Sequence, residues 1–193
     1  MPRHREFDPK QALQAAITLF WEKGFYDTSV DEVVKRSGVA KYGIYGTFGN
    51  KRELFRKVLE QYAEDRRQDI QAPIRRAEAS LPEIREFFAA LPARLTQKDF
   101  QHGCLMANTG VELGTRDVEF SVVVKDFFVE MTKVMGNCLK HAADNGQLTV
   151  MTDIKILAAY LVTEFRTALM LAASGATRND IRRHLEVALQ VLG

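Results

Sequence analysis

The sequence predicts an all-α protein of about nine helices, an N-terminal three-helix unit of helix-turn-helix form followed by a larger helical domain. Three observations predict it. Apolar residues recur at i, i+3, i+4 and i+7 along most of the chain; capping residues, glycines and prolines divide it into helix-length segments; and there is no strand-like alternation longer than a few residues and no repeat of fixed period. With 193 residues, 46% of them hydrophobic, the chain can bury a full core without disulfide or metal staples.

The first helix opens at Asp8-Pro9-Lys10-Gln11, an N-cap with proline at the first helical position, and carries the stripe Ala12, Ala16, Ile17 and Phe20 as far as Gly24. The second begins at Ser29, where Ser29 and Glu32 form a capping box ahead of Val30, Val33, Val34 and Ser37 on one face. Gly38 supplies a sharp turn, Val39 plugs the space between helices, and Ala40 to Thr47 has room for about two helical turns. There Ile44 and Phe48 pack inward, leaving Lys41, Tyr42, Tyr45, Gly46 and Thr47 to the opposite side. A fourth helix runs from Lys51 to about Gln71 with Leu54, Val58 and Tyr62 on one face. Pro73 and Pro82 flank a short segment, and Pro92 ends or kinks a helix that starts near Glu83. Helices follow over Cys104 to Leu113, Asp117 to Ala143, Asp153 to Ser174 and Asn179 to Leu192, with breaks at Gly146 and Gly175 and a final cap at Thr177 and Asp180.

Composition narrows the function classes. A net charge of +2 does not by itself argue for nucleic acid. Its distribution does: Arg3, Arg5, Lys10, Lys41, Lys51, Arg52, Arg56 and Lys57 surround the helix-turn-helix, whereas Asp8, Asp31 and Glu32 sit at helix starts and complement helix dipoles. The two cysteines, Cys104 and Cys138, and the four histidines, His4, His102, His141 and His184, have no metal-ligand spacing. No cofactor motif is present. The most apolar run, Leu157 to Ala173, is interrupted by Thr163, Glu164 and Arg166, so no membrane span is expected, and no apolar segment behind the N-terminus serves as a secretory signal. A reducing, cytoplasmic setting is the expectation.

The Gly24-Phe25 pair, the capped Thr28-Ser29-Val30, the turn Gly38-Val39-Ala40-Lys41 and the run from Ile44 to Leu54 together resemble the DNA-binding domain of a TetR-family transcriptional regulator. The resemblance implies a DNA-binding domain over 1–52 and an effector-binding and dimerisation domain over 53–193. It implies a double-stranded operator as partner. Ser29 would hydrogen-bond phosphate, and Tyr45, Thr47 and Lys51 would anchor it. Lys41 and Tyr42 would face base edges next to Ala40, and Gly43 and Gly46 would let the backbone come close. It further implies a homodimer, whose two reading heads address a near-palindrome, and a fourth helix that couples the two domains.

The last two long helices are apolar on more than one face, so they need cover on more than one face: a second subunit, as the resemblance implies, or their own core. The interface set is Ile156, Ala159, Tyr160, Thr163, Thr167, Leu185, Ala188 and Leu189. The resemblance also implies a small-molecule cavity among the middle helices, and Phe87, Phe88, Leu91, Cys104, Leu105, Met106, Phe127, Phe128 and Met131 are its candidate lining, although such side chains also fill cores. The expected effector is a small, mostly apolar molecule. Cys104, if at a helix N-terminus, is either a dipole-activated redox or electrophile sensor or a small buried residue, and Cys138 is packing. An all-α enzyme pairing Cys104 with a histidine lacks a third orienting residue and leaves the helix-turn-helix unexplained.

Overall fold

The computed structural model describes residues 8–97, 100, 102–148 and 153–193; Arg3, His4 and Arg5 lie outside them. Among the described residues the chain forms nine α-helices and no strand: α1 Pro9–Lys23, α2 Val30–Ser37, α3 Lys41–Phe48, α4 Lys51–Gln68, α5 Leu81–Leu95, α6 Leu105–Leu113, α7 Val118–Asp144, α8 Ile154–Ala173 and α9 Arg178–Ala188. Short 3₁₀ turns cover Pro73–Arg75 and Leu189–Leu192.

Local chemistry sets most boundaries. The Asp8 carboxylate accepts from Lys10 N–H (2.9 Å), and full capping boxes open α2 (Ser29, Glu32), α4 (Asn50, Glu53), α5 (Ser80, Glu83) and α9 (Thr177, Asp180). Ser29 is thus the cap in front of α2 rather than its first residue. Two readings of the sequence are corrected. α4 stops at Gln68, three residues early, and α5 starts at Leu81 and passes through Pro92. Only one turn follows Pro92, and the burial of Leu91, Pro92 and Leu95 holds that turn in place despite the lost N–H.

α1 braces α2, α3 and α4, while α7 and α8 pack on each other and, with α5 and α9, build the larger domain. The two parts share one core. Rings of Phe20 and Phe25 meet Phe55 on α4 (4.7 and 5.1 Å between centroids), and Phe55 meets Phe120 on α7 at 5.0 Å. The division at residues 52 and 53 falls inside α4, which runs unbroken across it.

By length and mean hydropathy alone α8 is apolar enough to cross a membrane, a test that the core helix of a folded domain also passes. Its Leu157, Ala158, Leu161, Val162, Phe165, Ala168 and Leu169 are buried in the core, as expected of a central helix.

Candidate nucleic-acid interface

The turn between α2 and α3 is built from Gly38, in the left-handed region at φ 68°, and buried Ser37, whose hydroxyl donates to the Val33 carbonyl (2.7 Å) and accepts from Val39 N–H (3.3 Å). Val39 is buried in the angle of the turn, and Ile44 fixes α3 to the domain beneath it. Those anchors leave the other face of α3 outward. Lys41, Tyr42, Tyr45, Gly46 and Thr47 are all exposed, Tyr42 to 74%, and Ala40 lies at the exposed start of the helix. Gly43 is half-buried and donates its N–H to the Ala40 carbonyl (3.0 Å). A side chain at Gly46 would meet nothing within 4 Å, so packing does not call for glycine there.

The polar residues are preloaded with local partners. Lys41 Nζ lies 2.7 Å from the Asp31 carboxylate, which raises the lysine's pKa. Both are exposed, so the pair is weak and the lysine can leave it. Ser29 is exposed, with its hydroxyl on Glu32 (3.0 Å). Lys23 beside Glu32, together with Ser29, brings the Glu32 carboxyl down to about 2. Lys51 is half-buried, donates to the Tyr26 carbonyl (3.2 Å) and sits 4.6 Å above the Phe25 ring, a bracing position for a residue the resemblance casts as a phosphate anchor.

The reading unit is tied to the larger domain by contacts that sequence reasoning missed. Gly24 stands at φ 83° and ψ −177°, a region essentially reserved for glycine, and turns the Phe25 and Tyr26 N–H groups onto the Glu112 carboxylate of α6 (2.8 Å each). Trp21 Nε1 donates to the Gly103 carbonyl (3.1 Å). Arg52, at the start of α4, grips Asp117 and Glu119 at the start of α7 (2.8 to 3.0 Å), which holds the Asp117 carboxyl below the ordinary carboxylate range. Arg67 at the far end of α4 reaches Glu130 on α7 (3.1 Å). The signal available in the sequence was weak: a glycine that ends α1 leaves two N–H groups needing acceptors, but nothing local names Glu112.

The candidate cavity residues divide. Phe87, Phe88, Leu91, Cys104, Leu105, Met106, Phe127, Phe128 and Met131 are all buried. Phe87 meets Phe88 edge-on (5.0 Å) and Phe165 at a tilt (5.3 Å), so its ring is packed in the core. A groove of about 590 Å³ instead lies between the end of α6 (Gly110, Gly114), α7 (Ser121, Val124, Lys125, Phe128, Val129, Thr132, Lys133) and α8 (Ala159, Val162, Thr163, Arg166). Of the expected lining it contains Phe128 alone. Met106 and Phe127 border a second groove of about 430 Å³ beside α4.

Cys104 does cap the N-terminus of α6, but burial outweighs the helix dipole and pushes its thiol up, with the Tyr62 hydroxyl beside it. Cys138 is buried, donates to the Ile74 carbonyl (3.2 Å) and is pushed up to about 11. His184 faces Glu164 at 2.8 Å and His141 Nδ1 faces the Ala79 carbonyl at 3.0 Å. Among the described residues no group of three or more His, Cys, Asp or Glu is placed to hold a metal ion.

The expected dimer set also divides. Ile156 (66% exposed), Ala159 and Thr163 face outward, with Tyr160, Thr167 and Leu189 half-buried. Leu185 and Ala188 are instead buried in the protomer's own core.

Comparison with known proteins places these features. The family profile "Bacterial regulatory proteins, tetR family" matches residues 12–58, and "Tetracyclin repressor-like, C-terminal domain" matches residues 80–188. The chain is 27% identical to the uncharacterized HTH-type transcriptional regulator YezE of Bacillus subtilis over 197 residues, covering all of both chains. It is 27% identical to the HTH-type transcriptional repressor ComR of Escherichia coli over 192 residues, 99% of this chain and 88% of that one. Its fold matches that of a cysteine-substituted CifR bound to 26-bp operator DNA, with a TM-score of 0.84 at 24% identity, over 99% of this chain and 100% of that one.

Proposed function

The chain belongs to the tetR family of bacterial regulatory proteins, and from that premise we propose that it is a homodimeric repressor held on a near-palindromic operator and released by a small molecule. It is a DNA-binding transcriptional regulator and not an enzyme. One observation carries the reading of the site: the outer face of α3 is exposed along its length, polar and aromatic, while Ile44 and Val39 hold its other side rigid. In this reading Lys41 and Tyr42 address base edges next to Ala40, Ser29, Tyr45, Thr47 and Lys51 address phosphate, and Gly43 and Gly46 let the backbone approach. Residues 1–52 read DNA, residues 53–193 bind effector and partner, and the protein works in the cytoplasm beside its operator. The repressor sense follows the name of the Escherichia coli relative.

Release requires that the ligand bind more tightly to a form in which the heads are misplaced. α6 and the start of α7 are better placed for this than α4 alone. The same last turns of α6 that border the groove through Gly110 and Gly114 carry Glu112, which holds the loop after α1. Three residues beyond Gly114, Asp117 holds Arg52. A ligand that shifts this corner moves both ties to the reading unit.

The test is a salt-titrated binding assay on promoter DNA flanking the protein's own gene, with a random duplex as control. Two protomers on one near-palindrome, at an affinity well above the random duplex, is the expected result. Binding no tighter than random overturns autoregulation by this repressor.

A further inference from the structure

The charges around the groove between α6, α7 and α8 are sorted by sign. Its lining holds three cations, Lys125, Lys133 and Arg166, and no carboxylate. Acids do occur on all three walls, but none lines the groove and several are held elsewhere. On α6, Glu112 accepts from Phe25 and Tyr26; on α7, Glu130 is taken by Arg67 and Arg75, and Asp126 borders the other groove; on α8, Glu164 faces His184. Among the described residues no acid forms an ion pair with Lys125, Lys133 or Arg166. Arg166 is held in place nonetheless, its guanidinium 4.3 Å above the Phe128 ring, and Val124 and Val162 continue an apolar floor beside it.

From this arrangement we infer that the groove takes an amphipathic anion, with a carboxylate or phosphate head on Arg166 and the two lysines and an apolar body along Val124, Phe128 and Val162. A guanidinium suits the planar, two-oxygen face of either head group. The volume of about 590 Å³ lies in the range of small-molecule sites. A like-charged lining also makes burial against the same surface of a second copy unfavourable, so an anion is the fitting occupant. The inference deepens the ligand-release reading and rests on it for the ligand's regulatory role, but the chemistry of the groove is testable without DNA.

The experiment is calorimetric titration of the full chain with octanoate, octyl phosphate and octan-1-ol, for the parent, Arg166→Gln and the pair Lys125→Gln with Lys133→Gln. At least one of the two anions should bind, and the tighter of them identifies the head group. The alcohol should bind about ten-fold or more weakly, and Arg166→Gln should weaken the anion by about ten- to a hundred-fold while leaving the alcohol unchanged. The three residues lie at the surface, and thermal melts of the variants check that the fold is intact. Octan-1-ol binding as tightly as the anions, variants that leave anion binding unchanged, or no binding by any of the three overturns the inference. Anion binding that depends on Arg166 but leaves operator affinity unaltered sustains it and overturns the ligand-release reading instead.

Discussion

Gly46 occupies the last turn of α3 with open space where a side chain would stand, so its cost in helix stability is not repaid inside the protomer. Gly46→Ala is expected to stabilise the free protein by about 0.5–1 kcal/mol in urea unfolding and to weaken operator binding, because the added methyl meets DNA. Unchanged operator affinity would remove Gly46 from the interface. Glu32 offers a second test, through pH. Its folded value of about 2 lies below the ordinary 4.5, so the carboxylate favours the fold. That contribution is complete above about pH 4.5 and fades as pH falls toward 2. The melting temperature of the parent should therefore exceed that of Glu32→Gln at pH 7, with the two curves converging in acid. A gap that persists unchanged to pH 2 would contradict the linkage.

At the scale of elements, the decisive contact is α6 on the loop after α1. Glu112→Ala leaves the Phe25 and Tyr26 N–H groups without acceptors, the first of them partly buried. The expected loss is about 1–3 kcal/mol, read from the urea midpoint, with faster amide hydrogen exchange at both residues. If exchange there is unchanged, the tie is not what holds the loop. This contact also marks where sequence reading stops. The caps of α1, α2 and α9, the Gly38 turn and the outward face of α3 were legible because their causes lie within a few residues of one another. Glu112 is 87 residues from Phe25, and no local pattern joins them. Pro92 shows the same limit: the sequence shows the missing donor, but not the buried neighbours that keep the final turn of α5 helical. Periodicity likewise shows that Phe87 and Phe88 face inward without showing whether another ring or empty space meets them.

Across the whole molecule, α8 connects the groove to the proposed partner surface. One side of it is buried core, one edge borders the groove through Ala159, Thr163 and Arg166, and Ile156 and Met170 stand exposed on the remainder. Large apolar side chains set outward on a helix already buried on its other side call for cover, and the second copy proposed above would supply it symmetrically, placing two α3 helices on one duplex. Ile156→Glu puts a charge into each half of that contact without touching the core, since Ile156 is two-thirds exposed. Light scattering should then report a monomer with the parent's far-ultraviolet spectrum. Operator affinity should fall by about a hundred-fold or more, because each head binds its half-site without the effective concentration that the other provides. A variant that remains dimeric and binds operator like the parent would show that the two copies meet on a different face, and would separate the groove from any route through the dimer.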